Sequence, residues 1–189
     1  MAEFLLELFS EEIPANLQST ARINLLESFK RFFEKENIIY KDDGKVFSTP
    51  NRLVLCFKKI EREIHQKSEE IRGPNTKAPD IAVEGFLKSN LIQKKDIYKK
   101  NTDKGEFFFY KKPSRKIKSE DVLKTSIPSI LENLSWKKSM KWGEHDLYWG
   151  RPLKSILAIF DSKPLKFEFH HLSSSNATYI DKDFEDKTK

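Results

Sequence analysis

Residues 3–37, EFLLELFSEEIPANLQSTARINLLESFKRFFEKEN, change their apolar period part-way along. Phe4, Leu6 and Leu8 recur at every second position, the period of a strand with one buried face. From Leu17 the apolar positions become Leu17, Ala21, Leu25, Leu26, Phe29, Phe32 and Phe33, with Lys30, Arg31, Glu34 and Lys35 between them. That is the stripe of an amphipathic helix. Pro14 suits its first turn, and Asn37 suits a left-handed stop.

Outward from this pair, strands and helices mix without regular alternation. The expected class is α+β: a mixed, largely antiparallel sheet packed with amphipathic helices. DDGKVFSTPNRLVLCFKKI supplies a turn at Asp43-Gly44, a short strand, a break at Pro50 and a strand from Arg52 to Ile60. RGPNTKAPD is a polar loop. Asp80 is placed to cap the helix IAVEGFLKSN, which is expected to bury Ala82, Val83, Phe86 and Leu87. DIYKKNTDKGEFFFYKK reads as a hairpin, with Tyr98 and Phe107 to Tyr110 in its strands and Asp103-Lys104-Gly105 at its turn.

Ser119 is placed to cap a further helix, and Glu120 and Asp121 suit the positive end of its dipole. Pro128 is expected to split that segment into a short helix and a second one starting near Ser126. In LKSILAIFDSKPLKFEFHHL two strands meet at Asp161-Ser162-Lys163-Pro164, and Leu165, Phe167 and Phe169 alternate with polar residues. Residues 1–172 form the folded region, with two subdomains meeting near residues 75–95 as its finer division. Residues 173–189 are expected to be a loose polar tail.

The chain has 189 residues, 38% apolar and 34% charged, and its 15 Phe and 3 Trp supply bulky core material. Its charge is uneven. Between Asn90 and Lys141 there are 14 Lys and Arg against 6 Asp and Glu, while the remaining chain has 21 against 23. A local positive field suits a surface that meets phosphates or an acidic partner; the alternative is a solvated basic face. Cys56, the single cysteine, lies in an apolar run and reads as a small core residue. With no intrachain disulfide to form, it suits a reducing cytosol. No apolar run reaches the roughly 20 residues of a membrane helix, so a cytoplasmic protein without a membrane partner is expected.

His170 and His171 are adjacent and, in a strand, would point to opposite faces; His65 and His145 are isolated. None of the zinc or calcium ligand spacings is met, and there is no phosphate loop or dinucleotide fingerprint. Attention falls instead on KKSMKWGEHDLYWGRP, residues 137–152. Trp142, Tyr148 and Trp149 sit there among Lys137, Lys138, Lys141 and Arg151, with Gly143 and Gly150 as breaks. Exposed aromatics there would stack on bases; the alternative is core aromatics in a turn. The segment reads as a rigid connection whose aromatics pin it to the core while its cations face a partner.

Several strings together resemble one family. They are LLELFSEEIPA, STPNRLVL, RGP followed by AVEGFLKSN, TDKGEFFFYKK, and KKSMKWGEHDLYWGRPLKSILAIFDSK, in that order over residues 3–172. They are similar to LLExxxEElPA, TPrRLa, RGP…AaeGFar, TdKGewl and KsMrWg…f.RPvhwlvaLlg of the beta subunit of bacterial heterotetrameric glycyl-tRNA synthetase. Members are several times longer and carry further domains, so the resemblance implies an N-terminal piece or a truncated product. It implies that an alpha subunit activates glycine with ATP. It further implies that the beta subunit binds tRNA and is needed for charging, and no cofactor or catalytic residue is expected in this chain itself. Two departures stand out: Asn51 replaces a common second arginine, and YIDKDFEDKTK follows SSSNAT where a GHRF-like string is usual.

Contact roles carried over from the family fall on Arg52, Arg72, Lys138, Lys141 and Arg151, with Trp142 beside them as a stacking candidate. The implied function is a noncatalytic tRNA-binding and assembly part of glycine–tRNA ligase, partnered by the alpha subunit and tRNA. The alternatives are a module that only docks other synthetase domains, and an editing hydrolase for mischarged tRNA with His170 or His171 as base.

Overall fold

The computed structural model describes residues 1–66, 68–144, 146–180 and 187–188. The chain divides into two units: Met1–Ile64 with Ile117–Lys189, and His65–Lys116. In chain order the first elements are β1 (Ala2–Ser10), α1 (Ala15–Glu36), β2 (Lys45–Thr49), β3 (Arg52–Ile60) and β4 (Glu63–Gln66). Next come β5 (Glu69–Asn75), α2 (Asp80–Asn90), β6 (Ile97–Thr102), β7 (Gly105–Lys112), β8 (Arg115–Lys118) and α3 (Ser119–Glu132). The last are β9 (Leu153–Phe160), β10 (Lys163–Pro164), β11 (Glu168–Phe169), β12 (Leu172–Ser175), β13 (Thr178–Tyr179) and β14 (Lys187–Thr188). The α+β class stands, with mostly antiparallel sheets.

In the first unit the sheet runs β11-β12-β9-β1-β3-β2, and β10 pairs with β9. β1 is antiparallel to both neighbours, so its apolar period is matched on each side. Leu6 lies opposite Leu55 and Ala158, Leu8 opposite Leu53 and Ile156, and Phe4 opposite Phe57 and Phe160. All nine are buried, and α1 covers that face with its own buried stripe of Leu17, Ala21, Leu25, Phe29, Phe32 and Phe33. The Phe29 ring lies 5.5 Å from that of Phe4, and Phe33 meets Phe57 edge-on at 5.0 Å. Asn37 ends α1 at φ 56°. Gly44 (φ +70°) is forced by the same layer, because a Cβ there would lie 2.6 Å from the Phe57 ring.

Four local expectations are corrected. Pro128 lies inside one continuous α3. Leu123, Ile127 and Leu131 are fully buried at spacings of four, and this packing outweighs one missing backbone hydrogen bond. Ser119 is not a cap: its Oγ donates to the Glu61 carbonyl (2.6 Å) and its N–H to that of Arg62 (2.9 Å). Asp80 is the first residue of α2 rather than its cap, where its charge still suits the helix dipole. Of that helix's apolar residues only Val83 is buried; Phe86 and Leu87 are half-buried and Ala82 is exposed.

Past Phe160, Leu165, Phe167 and Phe169 are buried as their alternation requires, although regular strand is confined to β10 and β11. Residues 173–175, placed by sequence in the loose tail, instead continue the sheet. β12 pairs in parallel with β9, and the buried Ser174 hydroxyl donates to the Leu165 carbonyl (2.6 Å) and accepts from the Phe167 N–H (2.8 Å). Backbone groups of 165–167 thus satisfy a polar residue that composition alone assigns to solvent. Residues 181–186 and 189 of that tail lie outside the described residues.

The second unit is a three-stranded antiparallel sheet, β5-β7-β6, carrying α2. β4 and β8 pair with each other where the chain passes between the units. Among the described residues no helix is long and apolar enough to cross a membrane.

A Cβ on Gly150 would meet the Trp136 ring at 2.3 Å, whereas one on Gly85 of α2 would meet nothing within 4 Å. Gly150→Ala is therefore expected to destabilise by about 1–3 kcal/mol through overpacking. Gly85→Ala is expected to stabilise by roughly 0.5–1 kcal/mol through helix propensity. Urea unfolding midpoints of the two variants check this.

Candidate nucleic-acid interface

Across an antiparallel sheet, directly opposed residues share a face. In the second unit Phe109 stands opposite both Arg72 and Tyr98, Phe107 opposite Lys100, and Glu70 opposite Lys111. These seven side chains form one face of β5-β7-β6. Ile71, Tyr110 and Ile97 form a row on the other face. There α2 packs, close enough that a Cβ on Gly73 would lie 2.9 Å from the Phe86 ring.

The face away from α2 is layered. The Arg72 guanidinium carbon lies 3.7 Å from the Phe107 ring centroid, and the Lys100 ammonium lies 5.3 Å from that of Phe109. Tyr98 stacks on Phe109 with centroids 6.3 Å apart. Flat aromatic surfaces thus carry cations whose outer sides meet water; Arg72, Lys100 and Lys111 are all exposed, and Tyr98 is 37% exposed. Each cation–ring contact is worth only about 0.5–1 kcal/mol at an exposed site. Its main effect is to hold the charged groups in place.

Glu70 organises the group. The Tyr98 hydroxyl donates to one of its oxygens (2.6 Å) and the Lys100 ammonium to the other (2.6 Å). Lys100, then Tyr98, hold the Glu70 carboxyl below the usual glutamate range, and the Glu70 hydrogen bond pushes the Tyr98 hydroxyl up. One carboxylate against three cations leaves the face net positive.

In the first unit, residues 137–152 close on themselves. Met140 and Trp149 exchange both backbone hydrogen bonds (2.8 and 3.1 Å). Trp149 is 1% exposed, 5.0 Å from the Trp136 ring and 6.1 Å from that of Phe169. It is a core residue. Trp142 is half-buried, edge-on to His171 at 6.1 Å. Tyr148, by contrast, is 64% exposed. Lys138 is exposed, Lys141 pairs with Asp146 (2.5 Å), and half-buried Arg151 donates to the Gly150 carbonyl (2.8 Å). The Lys141 hydrogen bond holds the Asp146 carboxyl low and is returned as a raised Lys141. His145 lies outside the described residues.

Arg52 is engaged within the chain. It pairs with Glu7 (3.4 Å), lies over the Phe9 ring (4.7 Å) and donates to the carbonyls of Tyr179 and Ile180. The Asn51 side-chain amide donates to the Ser10 carbonyl at the β1–β3 corner (3.1 Å). His170 pairs with Glu132 (2.5 Å) at a turn where its own φ is +51°. Of the six residues singled out by sequence, Lys138, Lys141, Trp142 and Arg151 share one segment. Arg52 lies on β3 of the same unit, and Arg72 lies in the other unit. Sequence reasoning missed Tyr98, Lys100 and Lys111 as sharing a face with Arg72, because Phe107 to Tyr110 is an unbroken aromatic run whose two faces separate only once β5 and β6 are paired with β7.

The family model for the glycyl-tRNA synthetase beta subunit matches residues 4–189. The chain belongs to that family. Glycine–tRNA ligase beta subunits of Rickettsia prowazekii (strain Madrid E) and Rickettsia typhi (strain ATCC VR-144 / Wilmington) are 39% and 41% identical to it over 179 residues. That of Rickettsia bellii (strain OSU 85-389) is 38% identical over the same length. In each case 95% of this chain is covered but only 27% of the relative. The chain thus spans about a quarter of the length of these beta subunits.

The depressed Glu70 carboxyl fixes the sign of a pH effect. A carboxyl lower in the folded than in the unfolded state stabilises the fold above the unfolded value, and that contribution is lost as pH falls through the folded one. Carboxyl-detected NMR titration is expected to place Glu70 below ordinary glutamates, and Lys100→Met to move it upward. An unchanged midpoint in the variant would mean that the Lys100 contact is absent in solution.

Proposed function

We propose that this chain is a noncatalytic tRNA-binding and assembly part of a glycine–tRNA ligase, working in the cytoplasm. An alpha subunit would activate glycine with ATP and charge the tRNA that this chain helps to hold. The observation that carries the reading is the segregation of charge. Residues 65–116 contain 13 Lys and Arg against 7 Asp and Glu, while the rest of the chain has 22 of each. The chain's whole surplus of +6 therefore resides in one small unit, on a sheet whose uncovered face presents Arg72, Lys100 and Lys111. Cations held at a surface displace counterions from nucleic-acid phosphates, which supplies affinity without chemistry. Lys138, Lys141, Trp142 and Arg151 form a second contact region, with the exposed Tyr148 beside them. Arg52 is left out because its guanidinium is already engaged.

If three cations each neutralise one phosphate, raising salt from 50 to 200 mM weakens tRNA binding about 20- to 40-fold. Fluorescence anisotropy with labelled tRNA at the two salt concentrations measures this. A salt-insensitive affinity, or one no better than for an acidic protein, removes the RNA half of the reading.

A second reading, docking alone, is favoured by the other face of the first unit's sheet. There Phe47 is 55% exposed beside Val54, and Leu5, Cys56 and Ile159 lie half-buried in the neighbouring row. Part-exposed apolar residues bordered by Lys45 and Glu7 on the same face suit a protein partner. Retention of the alpha subunit on immobilised chain after ribonuclease treatment, abolished by Phe47→Glu with the thermal midpoint preserved, is the expected signature. Retention that disappears with ribonuclease would assign the association to RNA.

A further inference from the structure

We propose that the uncovered sheet face of the 65–116 unit takes unpaired nucleotides, holding their bases by stacking rather than tracking a duplex backbone. This rests on the tRNA-binding reading and narrows it to one kind of RNA. Three features of the face point to it. The first is aromatic content: Phe107, Phe109 and Tyr98 share one face of adjacent strands, with Tyr98 stacked on the buried Phe109 and itself 37% exposed. The second is the guanidinium of Arg72, which lies 3.7 Å over Phe107 and is exposed, so the planar surface continues outward into solvent. A base has a π-face for such a plane, and for the exposed part of Tyr98, whatever its identity.

The third feature is the placement of charge. Lys100 and Lys111 flank the rings on the same face, as cations must if they are to meet the backbone of a strand whose bases lie on the platform. Glu70, opposite Lys111 on the neighbouring strand, fixes Tyr98 and Lys100 through its two hydrogen bonds. A groove built only for duplex phosphates needs no aromatic rings, and a purely hydrophobic docking face would not carry three cations. A single strand satisfies both parts of the surface, because its bases are free to unstack and its phosphates remain outside.

The two kinds of RNA separate the idea cleanly. A duplex carries more phosphates per unit length, so a surface acting by charge alone prefers it. Anisotropy of the full 189-residue chain with a labelled, unstructured RNA of about 12 nucleotides, a length such platforms accommodate, is compared with a blunt duplex of equal length. The expected result is tighter binding of the single strand. Tyr98→Ala and Arg72→Lys should each weaken it about 5-fold or more, leaving the duplex unchanged, while Tyr98→Phe keeps the affinity. Arg72→Lys retains the charge and loses only the plane, so it decides the matter even if Tyr98→Ala perturbs folding. Duplex binding as tight as the single strand, or an unchanged single-strand affinity in Arg72→Lys, overturns the proposal. If tRNA binding then keeps its salt dependence, the broader reading survives; if tRNA also fails to bind, both fall.

Discussion

The burial of one face of β9-β1-β3 beneath the phenylalanines of α1 is the constraint on which the first unit depends. β1 is central and antiparallel to both neighbours, so Phe4, Leu6 and Leu8 each meet an apolar residue on either side and the helix above. Deleting one such ring costs about 3–5 kcal/mol. A surface pair such as Lys154 with Glu11 contributes roughly 0–1 kcal/mol. The comparison decides which effect sets the fold. The aromatic layer does, and the ion pairs trim its edges. It also explains why α3 tolerates Pro128: three buried residues on one helix face outweigh a single absent donor.

Because that layer needs no charge, the cations are free to gather elsewhere. The chain leaves the first unit through β4, forms a small sheet with one helix, and returns through β8. This second unit buries little. Val83 and Phe109 are its buried apolar residues among those described. Its aromatic rings on the uncovered side are shielded by the stems and heads of Arg72 and Lys100 instead of by a second layer of protein. Such an arrangement is stable in water and still able to exchange solvent for a ligand, because an Arg or Lys lying on a ring keeps its charge exposed. The same residues therefore protect the unit and keep its charge exposed.

The connection at 137–152 shows how local sequence sets limits without choosing. Three aromatics and four cations were visible there, and either a stacking surface or a buried turn satisfied them. The fold separates them one by one: Trp149 goes under Trp136 and Phe169, Trp142 stops half-way, and Tyr148 faces water. Lys141 is tied to Asp146 while Lys138 stays exposed. Arg52 was legible as a cation beside a strand break, but its partners Glu7, Phe9 and Tyr179 lie far away in sequence, so its engagement within the chain was not.

By itself the sequence determined whatever depends on short-range periodicity. β1 and β3, the span and left-handed stop of α1, the hairpin of β6 and β7, and the buried set Leu165, Phe167 and Phe169 all follow from which positions along a strand or helix face the same way. Ordered strings of residues also identified the family. Tertiary structure alone decided which strands pair and in what register. Register set Arg72 over Phe107, joined Glu70 to Tyr98 and Lys100, and drew the polar residues 173–175 into the main sheet. The physical reason is that a strand's own pattern says which face is apolar but not which neighbour it will meet. That choice comes from loop closure and packing summed over the whole chain, where a shift of one residue would turn every one of these side chains to the opposite face.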